Sequence, residues 1–502
     1  MKSIRSDKTL LGAATFIVGM CAALGGCTLG PKYKRPDLPA PPPITYKENT
    51  PGSAEAQASG WKRATPQDAL LRGKWWEVFG DPELNSLEES LIINNQNIKQ
   101  SFENYMAARA VVRGARATLF PTVAFSPGAT AQGRGSGQGG LNSSITGSSS
   151  SRSYELPFGV SWEPDLFGSI RNTIREQANN AQVSSANLAN VTLSEQSSLA
   201  QYYFQLRGQD ALQELYNNTI AAYRESLRIT QVLFKTGIDS DQDVAQAETA
   251  LRTAEANAVA VGTARAQYEH AVALLVGKSA SEFSLPVRPL QMAVPNVPTG
   301  VPSQLLERRP DISAAERTMA AGNALIGVGK SAYYPTVSLS ASGGTETSAI
   351  ADLLTKAGTF WSAGGTAAET LLDFGARRAR VQQFQAQYNA DVASYRETVL
   401  NAFREVEDYL VASRQLAEQV EREQTAVAAA QHYEALATTR YKLGIDTYLN
   451  VLVAQNSLLN AEQSLTNLKT SQMTSAVQLI AALGGGWDTS QIPGEREMAR
   501  KP

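Results

Sequence analysis

The stretch Phe234-Lys235-Thr236-Gly237-Ile238-Asp239 returns 207 residues later as Tyr441-Lys442-Leu443-Gly444-Ile445-Asp446. Each copy follows a long segment without Pro and with scarcely any Gly, and each opens an Ala-rich helical pattern that ends at Gly277 or Gly484. Two further pairs keep nearly the same spacing. Leu119-Phe120-Pro121-Thr122-Val123 matches Tyr333-Tyr334-Pro335-Thr336-Val337 at a distance of 214, and Asp165-Leu166-Phe167-Gly168 is echoed by Leu372-Asp373-Phe374-Gly375. Self-similarity at a fixed period marks a duplicated structural unit, here of roughly 210 residues.

The segments Gly168 to Lys235 and Gly375 to Lys442 predict helices of some 65 residues, about 100 Å long at 1.5 Å per residue. No compact globule holds such a helix. Gly237 and Gly444 mark turns, after which helices of about 35 residues return. Val244, Ala247, Ala250, Ala254, Ala258 and Val261 recur at three- and four-residue steps, which lets helices approach closely as in a coiled coil. Nearer the start, Leu84, Leu87, Leu91, Ile98, Phe102 and Met106 predict one amphipathic helix from Asp81 to about Thr118, with Asp81 as N-cap and Pro82 in the first turn.

After Pro121 the period changes to two. Leu156, Phe158, Val160 and Trp162 alternate with Pro157, Gly159 and Ser161, and Val337, Leu339 and Ala341 alternate with Thr336, Ser338 and Ser340. These are strands apolar on one side only. A Gly/Ser tract from Gly133 to Ser153 and the segment Gly343 to Gly358 make each strand pair a hairpin with a polar loop.

The first residues are of another kind. Lys2, Arg5 and Lys8 precede an apolar stretch, Leu10 to Leu24, too short to span a bilayer, and Leu24-Gly25-Gly26-Cys27 follows. Residues 1–26 are expected to be a signal peptide. Small residues before a cysteine resemble the bacterial lipobox, which makes Cys27 the expected lipidation site. Cys21 lies within the signal, so the mature chain has no second cysteine for a disulfide or a thiol metal site. Thr28, not an Asp, follows Cys27, and by resemblance to sorted lipoproteins this favours the outer membrane. The Pro-rich run from Pro31 to Gly60 is an extended tether. No later apolar run spans a bilayer as a helix, so any crossing is made by strands.

The expected division is 1–26 signal peptide, 27–80 lipidated N-terminus and tether, 81–285 repeat 1, 286–301 linker, 302–486 repeat 2 and 487–502 C-terminal tail. Repeat 1 carries a β-hairpin at 119–166 and a helical hairpin with its tip near 237; repeat 2 carries them at 333–373 and near 444.

Four strands in lipid pose a physical problem. An open sheet would leave two edges of unpaired backbone groups, whereas a closed barrel leaves none. The smallest closed barrels use about eight strands and only wider ones hold an aqueous lumen. Three chains, twelve strands, therefore suit a duct better than two. The expected fold class is mainly α with a membrane β-barrel: a duplicated helix, β-hairpin and long helical hairpin, whose trimer would form a 12-stranded β-barrel extended away from the membrane by a helical tube.

Here a resemblance becomes specific. Trp75-Trp76-Glu77-Val78-Phe79-Gly80-Asp81-Pro82, Leu306-Glu307-Arg308-Arg309-Pro310-Asp311-Ile312, Ile326-Gly327-Val328 and Ala482-Leu483-Gly484-Gly485-Gly486-Trp487 resemble, in order, the TolC-like outer-membrane factors. The subgroup resembled is the NodT-type lipoproteins of resistance-nodulation-division (RND) tripartite efflux systems. The resemblance implies a homotrimeric exit duct with a 12-stranded β-barrel in outer-membrane lipid and a long periplasmic α-barrel, a periplasmic adaptor, or membrane fusion, protein and an inner-membrane RND-type pump as partners, and gating at the helix-turn tips, Gly237 and Gly444. It places Asp239, Asp241, Asp243, Asp446 and Asn450 at or near the periplasmic aperture, and Arg440, Tyr441 and Lys442 where polar contacts could latch neighbouring hairpins. The chain departs from the family at Val453, where an Asp is common; Asp243 is the expected substitute for that acidic ring. Arg440 and Lys442 also read as solvated cations at a helix C-terminus.

Other signals carry less. Gly329-Lys330-Ser331 and Gly277-Lys278-Ser279 lack the earlier Gly of a phosphate-binding loop, having Ala324 and Val272 there. Asp373-Phe374-Gly375 lacks the companion motifs of a kinase and is a repeated strand-to-helix turn. His270 and His432 are far from any second ligand, so neither metal nor cofactor is expected. No nucleophile arrangement points to an enzyme, and 45 basic against 47 acidic residues, evenly spread, leave no footprint for nucleic acid. Trp75 and Trp76 are expected to anchor a segment against its own protein. The competing reading, an anchored coiled-coil spacer or adhesin lipoprotein without a pore, has no use for half-apolar strands. The transported substrates are not legible.

Overall fold

In a computed structural model of the protein, residues 28–36, 46–47, 73–133, 150–289, 294–295, 297, 308–355 and 358–498 are described. The signal segment, Cys27, most of the tether, most of the Gly/Ser tract and Leu306-Glu307 lie outside them.

Two short helices open the first repeat, α1 (Pro82–Asn94) and α2 (Gln96–Ala117). Asp81 caps α1, accepting from the Glu83 and Leu84 amides at 2.9 and 3.4 Å. The single helix expected over 81–118 is broken at Asn95, whose ψ is 128°. The buried Asn95 side chain accounts for the break. Its Oδ1 accepts from the Ile98 amide at 3.0 Å and starts a new helix, while its Nδ2 donates to the Leu275 carbonyl and to Glu195, each at 3.0 Å. A straight helix would forfeit a cap, and hydrophobic period alone does not report it.

The strands are β1 (Thr122–Phe125), β2 (Gly128–Gly133), β3 (Ser150–Trp162), β4 (Thr336–Thr347) and β5 (Thr359–Ala368). β1 and β2 lie along β3 in one register, Thr122 opposite Ser161 and Gly133 opposite Ser150. They are one strand interrupted at Ser126-Pro127, where Pro127 has no N–H to give. The sheet is antiparallel throughout, in the order β1/β2, β3, β4, β5, and its outer edges are unpaired among the described residues.

The register sorts the side chains cleanly. Phe125 opposite Phe158, Val160 opposite Ala341 and Gly343 opposite Trp361 share one face. Ser161 opposite Ser340, Glu155 opposite Glu346 and Ser342 opposite Ser362 share the other. Trp361 is 83% exposed. One face is fit for lipid and the other for water.

Each hairpin leads into a helix of 67 residues, α3 (Ser169–Lys235) and α6 (Ala376–Lys442). Each returns through 35 residues, α4 (Asp241–Leu275) and α7 (Tyr448–Ala482). Repeat 2 opens with α5 (Pro310–Ser331), the counterpart of α2. The equal lengths express the duplication. The Asp165 carboxylate accepts from the Ile170 and Arg171 amides, and Asp373 accepts from those of Gly375 and Arg377, all at 2.9 to 3.0 Å. The repeated Asp-containing turns are therefore helix caps at the strand-to-helix junctions, reached through Gly168 at φ 79° and Gly375 at φ 93°.

The described start of the chain lies along α3 and α5. Asn172 and Asn323 donate to the carbonyls of Leu29 and Pro31 at 2.8 and 2.9 Å, and Tyr33 donates to Glu316 at 3.0 Å. A Cβ on Gly168 would stand 2.9 Å from Thr28 Cα, so the chain passes directly against the junction where strands give way to helices. The main core lies at the waist, where Trp75, Trp76, Leu84, Tyr203, Phe204 and Ile480 are fully or almost fully buried. The paired tryptophans thus anchor the segment before α1, and Trp75 Nε1 donates to Gln196 at 3.3 Å.

Candidate functional site

The two helix turns fold alike. Gly237 and Gly444 adopt φ 74° and 71°, a conformation costly for any side chain with a Cβ, and expose Ile238 and Ile445 beside them. What differs is how each turn uses its polar residues.

In repeat 1, Ser240 and Asp243 form a capping box at the start of α4: the Asp243 amide donates to Ser240 Oγ at 3.3 Å and the Ser240 amide donates back to the Asp243 carboxylate at 3.2 Å, joined by the Ser240 hydroxyl at 2.6 Å. Asp241 is exposed and engages no partner among the described residues. In repeat 2, Asp446 is held within its own turn, receiving Arg440 Nε at 3.2 Å and the Asn450 amide. The Asn450 hydrogen bond is the largest influence keeping the Asp446 carboxyl below the usual range.

Tyr441 joins the two turns. It is 5% exposed, and its hydroxyl donates to the Asp239 carboxylate and lies 3.0 Å from Thr230 Oγ1. Burial, then the Asp239 carboxylate, pushes the phenol well above its ordinary range, so it remains a donor at any physiological pH. Its ring packs with Ala247, Tyr448 and Val451. Burial likewise pushes Tyr448 up to about 12. Of the three residues expected to latch hairpins, Tyr441 spans from one hairpin to the other, Arg440 stays within its own turn and Lys442 is exposed. Val453 is 47% exposed.

A polar seam continues from Tyr441 along the helices. Tyr223 donates to Asn456 at 3.0 Å, Gln455 to Ser226 at 3.0 Å and Gln463 to Tyr216 at 2.6 Å. Tyr216, Tyr223 and Thr230 are seven residues apart on α3, as Asn456 and Gln463 are on α7. That heptad spacing is the sequence signal for the seam, and it was missed because its members are polar.

A sheet with one lipid-facing side, set on helical hairpins of this length, defines the subunit of an outer-membrane channel. The chain belongs to the outer membrane efflux protein family, whose model matches residues 87–278 and 301–485. It is 33% identical over 473 residues to the probable efflux pump outer membrane protein TtgC of Pseudomonas putida, covering 92% of this chain and 93% of that one. It is 27% identical over 469 residues to the cation efflux system protein CusC of Escherichia coli, covering 93% and 97%. It superposes on the outer-membrane channel OprN with a TM-score of 0.80 and 28% identity, over 92% of this chain and 100% of that one. The protein is an outer-membrane efflux channel with helical hairpins on the periplasmic side, and a spacer without a pore is not what the fold builds.

Proposed function

We propose that three copies close the sheets into a twelve-stranded barrel and the hairpins into a helical tube, a passive duct from periplasm to exterior that breaks and makes no bonds. The two-faced sheet with unpaired edges carries this reading, because only closure satisfies its backbone in lipid. Cys27, which directly precedes Thr28 in the sequence, is the residue we assign to the lipid anchor; acyl chains contribute about 0.8 kcal/mol per buried CH₂ to membrane attachment. A periplasmic adaptor and an inner-membrane RND-type pump supply the drive. Selection of substrate is assigned to the pump, since relatives named for toluene, solvent, antibiotic and cation efflux align with this chain nearly end to end.

The tips are the gate. In the closed state Tyr441 ties the repeat 2 hairpin to Asp239 of repeat 1, and opening must break that contact. Asp243 supplies the acidic ring: one of its oxygens serves the capping box, yet among the described residues no cation forms an ion pair with it, whereas Asp446 is paired with Arg440. Reversal potentials of single channels test this. Asp243→Asn should reduce cation preference, and an unchanged preference would remove Asp243 from the role.

A further inference from the structure

The duplication lets one protomer reveal how it meets the next. Within the chain, a 214-residue step carries β1/β2 onto β4 and a 207-residue step carries β3 onto β5. The same steps carry the observed pair Phe125 and Phe158 onto Leu339 and Gly365, which is also an observed pair. The seam between repeats, β3 against β4, is therefore a template for the seam between chains, β5 against β1/β2 of another copy.

We propose that β5 pairs antiparallel with β1/β2 of a second copy of this chain with Trp361 opposite Gly133, Ser362 opposite Gln132, Ala363 opposite Ala131 and Gly365 opposite Ala129. This register rests on the trimeric reading above and specifies it residue by residue. The transferred register keeps the two faces apart, with Trp361, Ala363 and Ala131 on the lipid-facing side and Ser362 and Gln132 on the polar one. A shift by one residue would turn every side chain of one strand to the wrong face.

Three exposed features of the isolated chain are covered by the same operation. Phe167 stacks on Tyr334 at 4.9 Å between the repeats. Its counterparts, Phe374 and Phe120, are 94% and 68% exposed, and Phe374 is the one non-glycine residue of positive φ, 51°, among the described residues. Between chains, Phe374 stacks on Phe120 as Phe167 does on Tyr334. Below the sheet, α5 packs against α3 of the other repeat, with Ala321 and Ala324 at 5% and 7% exposure. Their counterparts on α2, Ala107 and Ala110, are exposed, as is the membrane-side end of α6. The neighbour's α2 and α6 fill these positions.

Paired cysteines test the register, since directly opposed Cβ atoms lie about 5 Å apart and diagonal ones roughly 7–8 Å. The full chain carrying Ser362→Cys with Gln132→Cys, oxidised in outer membranes, should give covalent dimers and trimers on a denaturing gel. So should Ala363→Cys with Ala131→Cys. Ser362→Cys with Thr130→Cys, two residues out of register, should cross-link at least tenfold more slowly. Faster linkage by the shifted pair, from a protein whose native mass is three chains, would overturn the register and leave the trimer standing. No linkage from any pair, together with a native mass of one chain, would overturn both.

Discussion

Replacing Tyr441 by Phe removes one oxygen from the tip and leaves the ring among Ala247, Tyr448 and Val451. The hydroxyl serves two partners, the Asp239 carboxylate and Thr230 Oγ1. A hydrogen bond to a charged group contributes about 1.5–3 kcal/mol and a neutral one about 0.5–1.5. Asp239 is half-exposed, so water replaces the lost donor in part, and the low end applies: about 2 kcal/mol per protomer, or roughly thirtyfold in the opening equilibrium. If the three tips of a duct open together, the sum is on the order of 6 kcal/mol. Single-channel recording in planar bilayers reads this directly. Tyr441→Phe should raise mean conductance and the frequency of large openings, and Asp239→Asn should do so less, because an amide oxygen still accepts. A Tyr441→Phe channel with wild-type conductance and gating, from a normally assembled protein, would refute the latch.

Three other outcomes follow from particular contacts. Glu88 is fully buried with neither carboxylate oxygen partnered among the described residues, and burial raises its pKa well above the ordinary value. The unfolded carboxyl releases its proton near pH 4.3, about where Glu does in peptides, and the folded one only at higher pH, so stability falls as pH rises through that window. Glu88→Gln should accordingly melt with the wild type near pH 4 and above it at pH 8; equal melting at both would show Glu88 to be solvated. At the middle of β4, Ala341→Arg faces lipid and Ser342→Arg faces the lumen, and only the first should cost assembly, by about 2–4 kcal/mol near the bilayer midplane. Similar yields of both variants in outer membranes would contradict the assignment of faces. Asp243→Asn should lower cation preference without changing thermal stability by more than about 1 kcal/mol, the value of a helix cap.

The architecture was legible because repetition is insensitive to detail. Gly237 and Gly444 announce two turns whatever their neighbours, and long segments without Pro admit no alternative to helix. The alternation around Phe158 and Leu339 gave the two faces of the sheet as well. The break at Asn95 was not legible, since it depends on Leu275 and Glu195, which are remote in sequence. Around the tips the polar residues are legible in the sequence, but their contacts are not. Asp243, Asp446 and Tyr441 all sit within a few residues of a turn, and sequence proximity does not reveal that Asp243 caps a helix, that Asp446 is offset by Arg440, or that Tyr441 crosses to Asp239. Such contacts are set by the packing of one hairpin on the other, which the polar heptad of Tyr216, Tyr223 and Thr230 encodes more directly than the tips do.

Closure of an open sheet by copies of the same chain underlies the duct and its gate. It is read most directly from the native mass, in mild detergent, of protein extracted from separated outer membranes. Three chains per particle are expected, with twelve strands and no free edge. A particle of one chain, extracted intact from those membranes, would leave both edges of the sheet unpaired in lipid and would contradict it.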